Sequence, residues 1–322
     1  MQIEHLRYFI ALSQTQSITK TSYAFHTTPQ NISRILRKLE SEMNVPLFER
    51  HPNGITLTSF GEHFLKFAKS TLYQFDEMHA DFQFKISKNT TNQQITFYSN
   101  NAINETILND ILTAFSKDYP SISVNNIIVD WKEGYQKIND NPQALAFLYT
   151  INDDTYLKTA QKNLIVTPAF QLHSIAMVNK NHPLANKQTC TKKQLKDYRL
   201  LVLTHTSLAN TEVCHILQLD PFDPTLSITC SDNVNACYQM VANGDYVSLG
   251  ALETFLRQDE AVRENLAIIP IADEPICTCA LIKSQDLPLD SPQQLLYSYI
   301  ISYLHRNDLV PKDYIKDFSK LL

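Results

Sequence analysis

Residues 27–50 read TTPQNISRILRKLESEMNVPLFER. Thr28 offers a hydroxyl to the free N–H groups of a helix start, and Pro29 fits the first turn, where its missing N–H costs nothing. Ile32, Leu36 and Leu39 follow at i, i+4 and i+7, which predicts a helix to about Met43 with one buried stripe. Arg34, Arg37 and Lys38 then lie outside. Asn44-Val45-Pro46 ends the helix, and LFERHPNGITLT (47–58) gives two short β-prone runs around Asn53-Gly54, a pair suited to a hairpin turn.

Working upstream, Ile3, Leu6, Phe9, Ile10 and Leu12 predict a helix over 3–14. Ser17 can cap a second helix over 18–25, with Ile18, Thr21, Ser22 and Phe25 turned inward. His26-Thr27-Thr28 connects it tightly to the third. Helix, helix, turn, helix, hairpin is a winged helix-turn-helix.

Downstream, Ser59 to about Ile86 reads as one long helix without proline. Phe60, Phe64, Phe67, Thr71, Phe75, Met78 and Phe82 recur at intervals of three and four, a coiled-coil period. Such a stripe can pack on its own domain. Here the helix leaves a domain that is already closed, which favours pairing with a second copy. SKNTTNQQ (87–94) is polar and reads as a hinge.

Beyond it strands alternate with helices: 95–99, a helix at 102–117, 122–129, a short helix, then the continuous apolar run 144–149. A second series has 199–204, a helix near 208–218, 226–230, a helix over 233–242 stopped by Gly244, and 246–250. Strands at 266–269 and 277–283 and a helix at 292–305 complete it. This pattern predicts α/β units with a largely parallel sheet, in two similar lobes around a cleft. The fold class is α/β overall, with an all-α winged head and a long linker helix before the two lobes.

The 322 residues are 43% hydrophobic and 19% charged, an ordinary globular balance with room for two or three domains. No apolar run reaches the ~20 residues of a membrane-spanning helix, and the first residues do not form a secretion signal. A cytoplasmic protein with no membrane partner is expected. The net charge of −5 argues against nucleic acid, but its distribution does not. Residues 1–70 carry 8 Lys/Arg against 5 Asp/Glu, and the remainder carries 20 against 28. Cysteines stand at 190, 214, 230, 237, 277 and 279, and fit no paired zinc spacing. Buried reduced thiols are the expectation, with no metal and no cofactor.

A helix in the major groove reads adenine through Gln or Asn and guanine through Arg. Thr28 and Pro29 open the third helix, and Gln30, Asn31, Ser33, Arg34 and Arg37 lie in its first turns, within reach of bases. Lys38, Arg50, Thr19 and Lys20 suit phosphates. The competing reading makes Arg34, Arg37 and Lys38 a solvated face offset by Glu40 and Glu42. In the sensor half, Ser99-Asn100-Asn101 and Thr204-His205-Thr206-Ser207 each end a strand and open a helix, and Ser231 can cap a third. Helix starts beyond the carboxyl ends of strands suit an anionic ligand, although each polar group can equally serve as a cap and His205 as a surface histidine.

Residues 27–50, with LRYF (6–9) before and LTSFG (57–61) after, resemble the LysR-type transcriptional regulators. NKNHPLA (179–185) and VSLGALETF (247–255) are similar to stretches of their sensor domain. The resemblance implies a DNA-binding domain at 1–58, a linker and dimerisation helix at 59–88, and at 89–322 an effector-sensing domain with the periplasmic-binding-protein fold. It also implies operator DNA, a small-molecule effector and a second copy of the chain as partners, with tetramers through the sensor domain and RNA polymerase as further contacts. The chain departs from the family in opening its recognition helix with Pro29-Gln30 and in a wing, HPNG (51–54), with Arg50 nearly its sole cation. An enzyme, a solute-binding protein and a thiol- or peroxide-responsive regulator are the alternatives. No Gly-rich phosphate loop, nucleophile elbow or zinc ligand set supports the first, and Leu208 stands where the last would place its reactive thiol.

Overall fold

The computed structural model describes residues 1–52, 54–86, 93–151, 163–203, 213, 217, 220, 223, 225–272, 277–288 and 291–306. They form two compact units, one built on 1–86 with 298–306 and the other on 93–297.

In the first unit, α1 (Ile3–Thr15), α2 (Ile18–Ala24) and α3 (Pro29–Met43) close around Leu6, Phe9, Leu12, Ile32, Leu36 and Leu39, all buried. The caps form as the sequence predicts: Ser17 Oγ accepts from Lys20 N–H at 3.3 Å, and Thr28 Oγ1 from Asn31 N–H at 3.2 Å. The turn between α2 and α3 places His26 at φ 49°, a left-handed residue that lets the chain reverse tightly. The wing is β1 (Phe48–His51) paired antiparallel with β2 (Gly54–Leu57). It is pinned to the end of α1, because Ile55 N–H donates to Gln16 O at 3.1 Å. Gly54 sits there at φ 140°, and a Cβ on it would meet Gln16 O at 2.6 Å.

The long helix α4 spans Ser59–Ile86, and its seam is narrower than the spacing suggested. Phe64 leaves it for the domain core, packing edge-on against Phe9 with ring centroids 4.8 Å apart. At ~100° per residue, Phe60, Phe67, Thr71, Met78 and Phe82 lie within about 60° of one another. The four large apolar members stay 56%, 48%, 45% and 53% exposed.

The second unit holds two five-stranded sheets. One runs β4-β3-β5-β12-β6 (Ile122–Ile128, Gln93–Ser99, Leu145–Ile151, Cys277–Ser284, Leu164–Leu172). The other runs β11-β7-β10-β8-β9 (Leu266–Pro270, Ser174–Asn179, Tyr246–Ala251, Arg199–Leu203, Ile228–Ser231). Both sheets are mixed rather than largely parallel: β12 pairs antiparallel with β5 and β6, and β7 with β10 and β11. The chain passes from one sheet to the other at His173. Its N–H and Nδ1 meet the Glu253 carboxylate at 3.1 and 2.6 Å. The first helix of this unit runs Asn101–Ile103 (α5), a π turn Asn104–Leu108, and Asn109–Asp118 (α6). The widened turn carries Glu105 and Thr106 to the helix Leu252–Leu256 of the other lobe, where Thr106 and Thr254 hydroxyls meet at 3.0 Å.

Among the described residues no helix is long and apolar enough to cross a membrane. Of the described thiols, Cys190, Cys237, Cys277 and Cys279 are buried, but Cys230 is exposed at the end of β9, against the expectation of uniformly buried thiols.

Candidate functional site

Two places can carry chemistry. The first is the outer face of α3. Thr28, Pro29, Gln30, Arg34, Arg37 and Lys38 are exposed, and Asn31 and Ser33 half-exposed, while Ile32, Ile35, Leu36 and Leu39 anchor the opposite side. Asn31 is fixed at both ends of its amide. Its Nδ2 donates to Thr27 Oγ1 at 3.0 Å, and its Oδ1 accepts from Arg34 at 2.8 Å. Thr19 and Lys20 on α2, and Arg50 on the wing, are exposed as well.

Of the two acidic residues expected to offset this face, Glu40 is directed elsewhere and Glu42 is shared with the N-terminus. Glu40 Oε1 accepts from the N–H groups of Leu47 and Phe48 at 2.9 and 3.2 Å, holding the start of the wing. Glu42 pairs with the N-terminal ammonium at 3.0 Å, which pulls its carboxyl below the usual range. Glu40 is thereby turned to the wing, Glu42 still acts on Lys38, and Arg34 and Arg37 face outward, as contact with a polyanion requires.

The second place is a cavity of about 150 Å³ between the two lobes. Asn100, Ile128, Asp130, Leu203 and Ala251 bring the carboxyl ends of strands from both sheets to it, the position where open α/β sheets bind ligands. Of the predicted effector residues, Asn100 and Asn101 line it. Asn100 is committed to the framework rather than to capping: its Oδ1 accepts from Tyr149 N–H at 3.0 Å and its Nδ2 donates to Val129 O at 3.2 Å. Ser99 is buried and donates to Asn126 Oδ1 at 2.8 Å, outside the lining. Ser231 is not the cap of its helix. Asn233 is, accepting from Ala236 N–H at 2.9 Å, and Ser231 Oγ supports it by accepting from Asn233 N–H. Thr204, His205 and Thr206 lie outside the described residues.

Sequence reasoning missed most of the lining: Met177, Tyr238, Val241, Ser248 and Thr254 come from elements far apart in the chain. It also missed the strands β6 and β7. Pro168 disguises β6, yet it is accommodated where the β6–β12 register shifts. His182, in the HPL stretch, is a buried framework residue whose Nδ1 accepts from Leu184 N–H at 3.1 Å. The lining is mainly apolar. Among its described members there is no Lys, Arg or His, and Asp130 contributes a carboxyl group, so an anion there would depend on backbone donors.

Burial pushes the thiols of Cys237 and Cys279 up, opposite to the depressed value that makes a thiol reactive. Among the described residues no cluster of three or more His, Cys, Asp or Glu could hold a metal ion.

Residues 3–62 match the model of the bacterial regulatory helix-turn-helix proteins of the lysR family, and residues 88–304 match the LysR substrate binding domain. The chain is 23% identical over 307 residues to the transcriptional dual regulator GltC of Bacillus subtilis, covering 95% of this chain and 98% of that protein. It is also 23% identical over 209 residues to the uncharacterized regulator YybE of the same organism, covering 63% of this chain and 66% of that one. Among solved structures, the oxidized form of Corynebacterium glutamicum OxyR superposes with a TM-score of 0.54 at 18% identity, covering 97% of this chain and 95% of that one. That likeness establishes the fold, and the two domain matches together span nearly the whole chain: it belongs to the LysR family of DNA-binding transcription regulators.

Proposed function

We propose that the protein binds operator DNA as a homodimer paired along residues 59–86, and that a small molecule in the cavity between the lobes adjusts that binding. In this reading residues 1–58 hold the DNA, 59–88 join two copies and 89–322 sense the effector in the cytoplasm. Gln30, Asn31, Ser33, Arg34 and Arg37 face bases, with Thr28 and Pro29 setting the depth of α3. Thr19, Lys20, Lys38 and Arg50 face phosphates. The carrying observation is the outward polar face of α3, from which Glu40 has been drawn to the wing. An effector acts here only by binding two arrangements of the lobes with different affinity.

The test is an electrophoretic mobility assay on the DNA flanking the gene. Lys38→Ala should weaken binding to all sequences and lower the salt slope by about one unit, as the loss of one phosphate contact does. Arg34→Ala should lose about 1–3 kcal/mol of discrimination at one base position. Unchanged salt slope and discrimination in both would refute this placement of α3.

A further inference from the structure

The cavity says more about its ligand than that it is small. A cavity of about 150 Å³ with largely apolar walls has room for a single aromatic ring, since an engineered apolar cavity of that size takes up benzene. It is not wholly apolar. Ser248 on β10 and Tyr238 on the helix Val234–Asn243 both line it, and they are only 5% and 7% exposed. Neither hydroxyl makes a hydrogen bond to a described residue. Neither oxygen is sealed off from the cavity, so each can bond whatever occupies it, and a ligand oxygen can take the place of solvent there.

Charge is disfavoured on the same walls. Asp130 lines the cavity, and Glu105, whose charge acts on Tyr238 and Cys237, accepts from Gln258 at 3.4 Å. No described lining residue is a cation. A carboxylate here would lose its water and gain no counter-charge from the described lining.

Resting on the reading that this cavity is the effector site, we propose that the ligand is a neutral, single-ring molecule with one oxygen function, hydrogen-bonded by the hydroxyls of Ser248 and Tyr238. This replaces the anion expected from helix starts alone.

The experiment is calorimetric titration of the full-length protein at neutral pH with four probes of one size: phenol, toluene, benzoate and benzylammonium. Phenol should bind most tightly. Ser248→Ala and Tyr238→Phe, which barely alter packing, should each weaken phenol roughly tenfold, the loss of one hydrogen bond, and leave toluene unchanged. Val241→Phe, filling the cavity, should abolish both. Tighter binding of benzoate or benzylammonium than of phenol, or of no probe at all, would overturn the proposed ligand class. So would undiminished phenol binding by the Ser248→Ala, Tyr238→Phe double variant. Any binding that survives Val241→Phe in a folded protein would instead overturn the cavity as the effector site.

Discussion

Phe67 is the most informative single position for assembly. It stands near the middle of the exposed α4 stripe and is 48% exposed, with Phe60, Met78 and Phe82 similarly uncovered. Fully burying such a side chain contributes about 1.5–3 kcal/mol, so covering the remaining half is worth roughly 1 kcal/mol. Four such residues on each of two copies give roughly 8 kcal/mol, comparable with the lower estimates of what association costs in lost freedom. The stripe is thus strong enough to matter and too weak to tolerate injury. In a two-fold pair each substitution occurs twice. Phe67→Ala should cost about 2 kcal/mol of pairing, or about 30-fold in Kd. Phe67→Asp adds two carboxylates stripped of water at several kcal/mol each and should leave only monomer at micromolar concentration. Sedimentation velocity across a dilution series reads both, and circular dichroism confirms that the fold survives. Wild-type sedimentation in the folded Phe67→Asp protein would refute the reasoning.

Other expectations concern the winged domain and the lobe seam. Gly54→Ala forces a Cβ to within 2.6 Å of Gln16 O at φ 140°, so it should lower stability by about 1–3 kcal/mol in a denaturant titration. Glu40→Ala strips two buried N–H groups of their acceptor and should lower the melting temperature of the winged domain; an unchanged value would show that water replaces the carboxylate. Burial holds the Glu105 carboxyl up at about 7 against an ordinary 4.5. The folded state therefore keeps a proton that the unfolded chain releases, and stability falls as pH rises between those values and levels off above them. Glu105→Gln should remove that slope, melting higher than wild type above pH 7 and alike below 4.5. Parallel melting curves of the two proteins across this range would contradict it.

The winged domain was legible because its determinants are local. Ser17, Thr28 and Pro29 mark helix starts within a few residues, and α4 begins at Ser59 and ends at Ile86 as its apolar period implies. What escaped was set by distant partners. Phe64 has the spacing of the seam, but Phe9 claims it for the core. Glu40 reads as a neighbour of the basic face until the wing takes it. Ser231 and Asn233 are both plausible caps, and only backbone geometry chooses between them. The cavity was the least legible part. Its location follows from strand ends, yet its chemistry depends on Tyr238, Ser248 and other side chains that no motif groups together.

The central claim is that α3 reads DNA on behalf of a paired molecule. Selection of binding sites from a random duplex pool by the purified full-length protein tests it most directly. The account predicts enrichment of two related half-sites about one helical turn apart, with Arg34→Ala relaxing the preference at the same position in each half. Recovery of no enriched sequence, or of the same sequence with equal preference by Arg34→Ala, would contradict it.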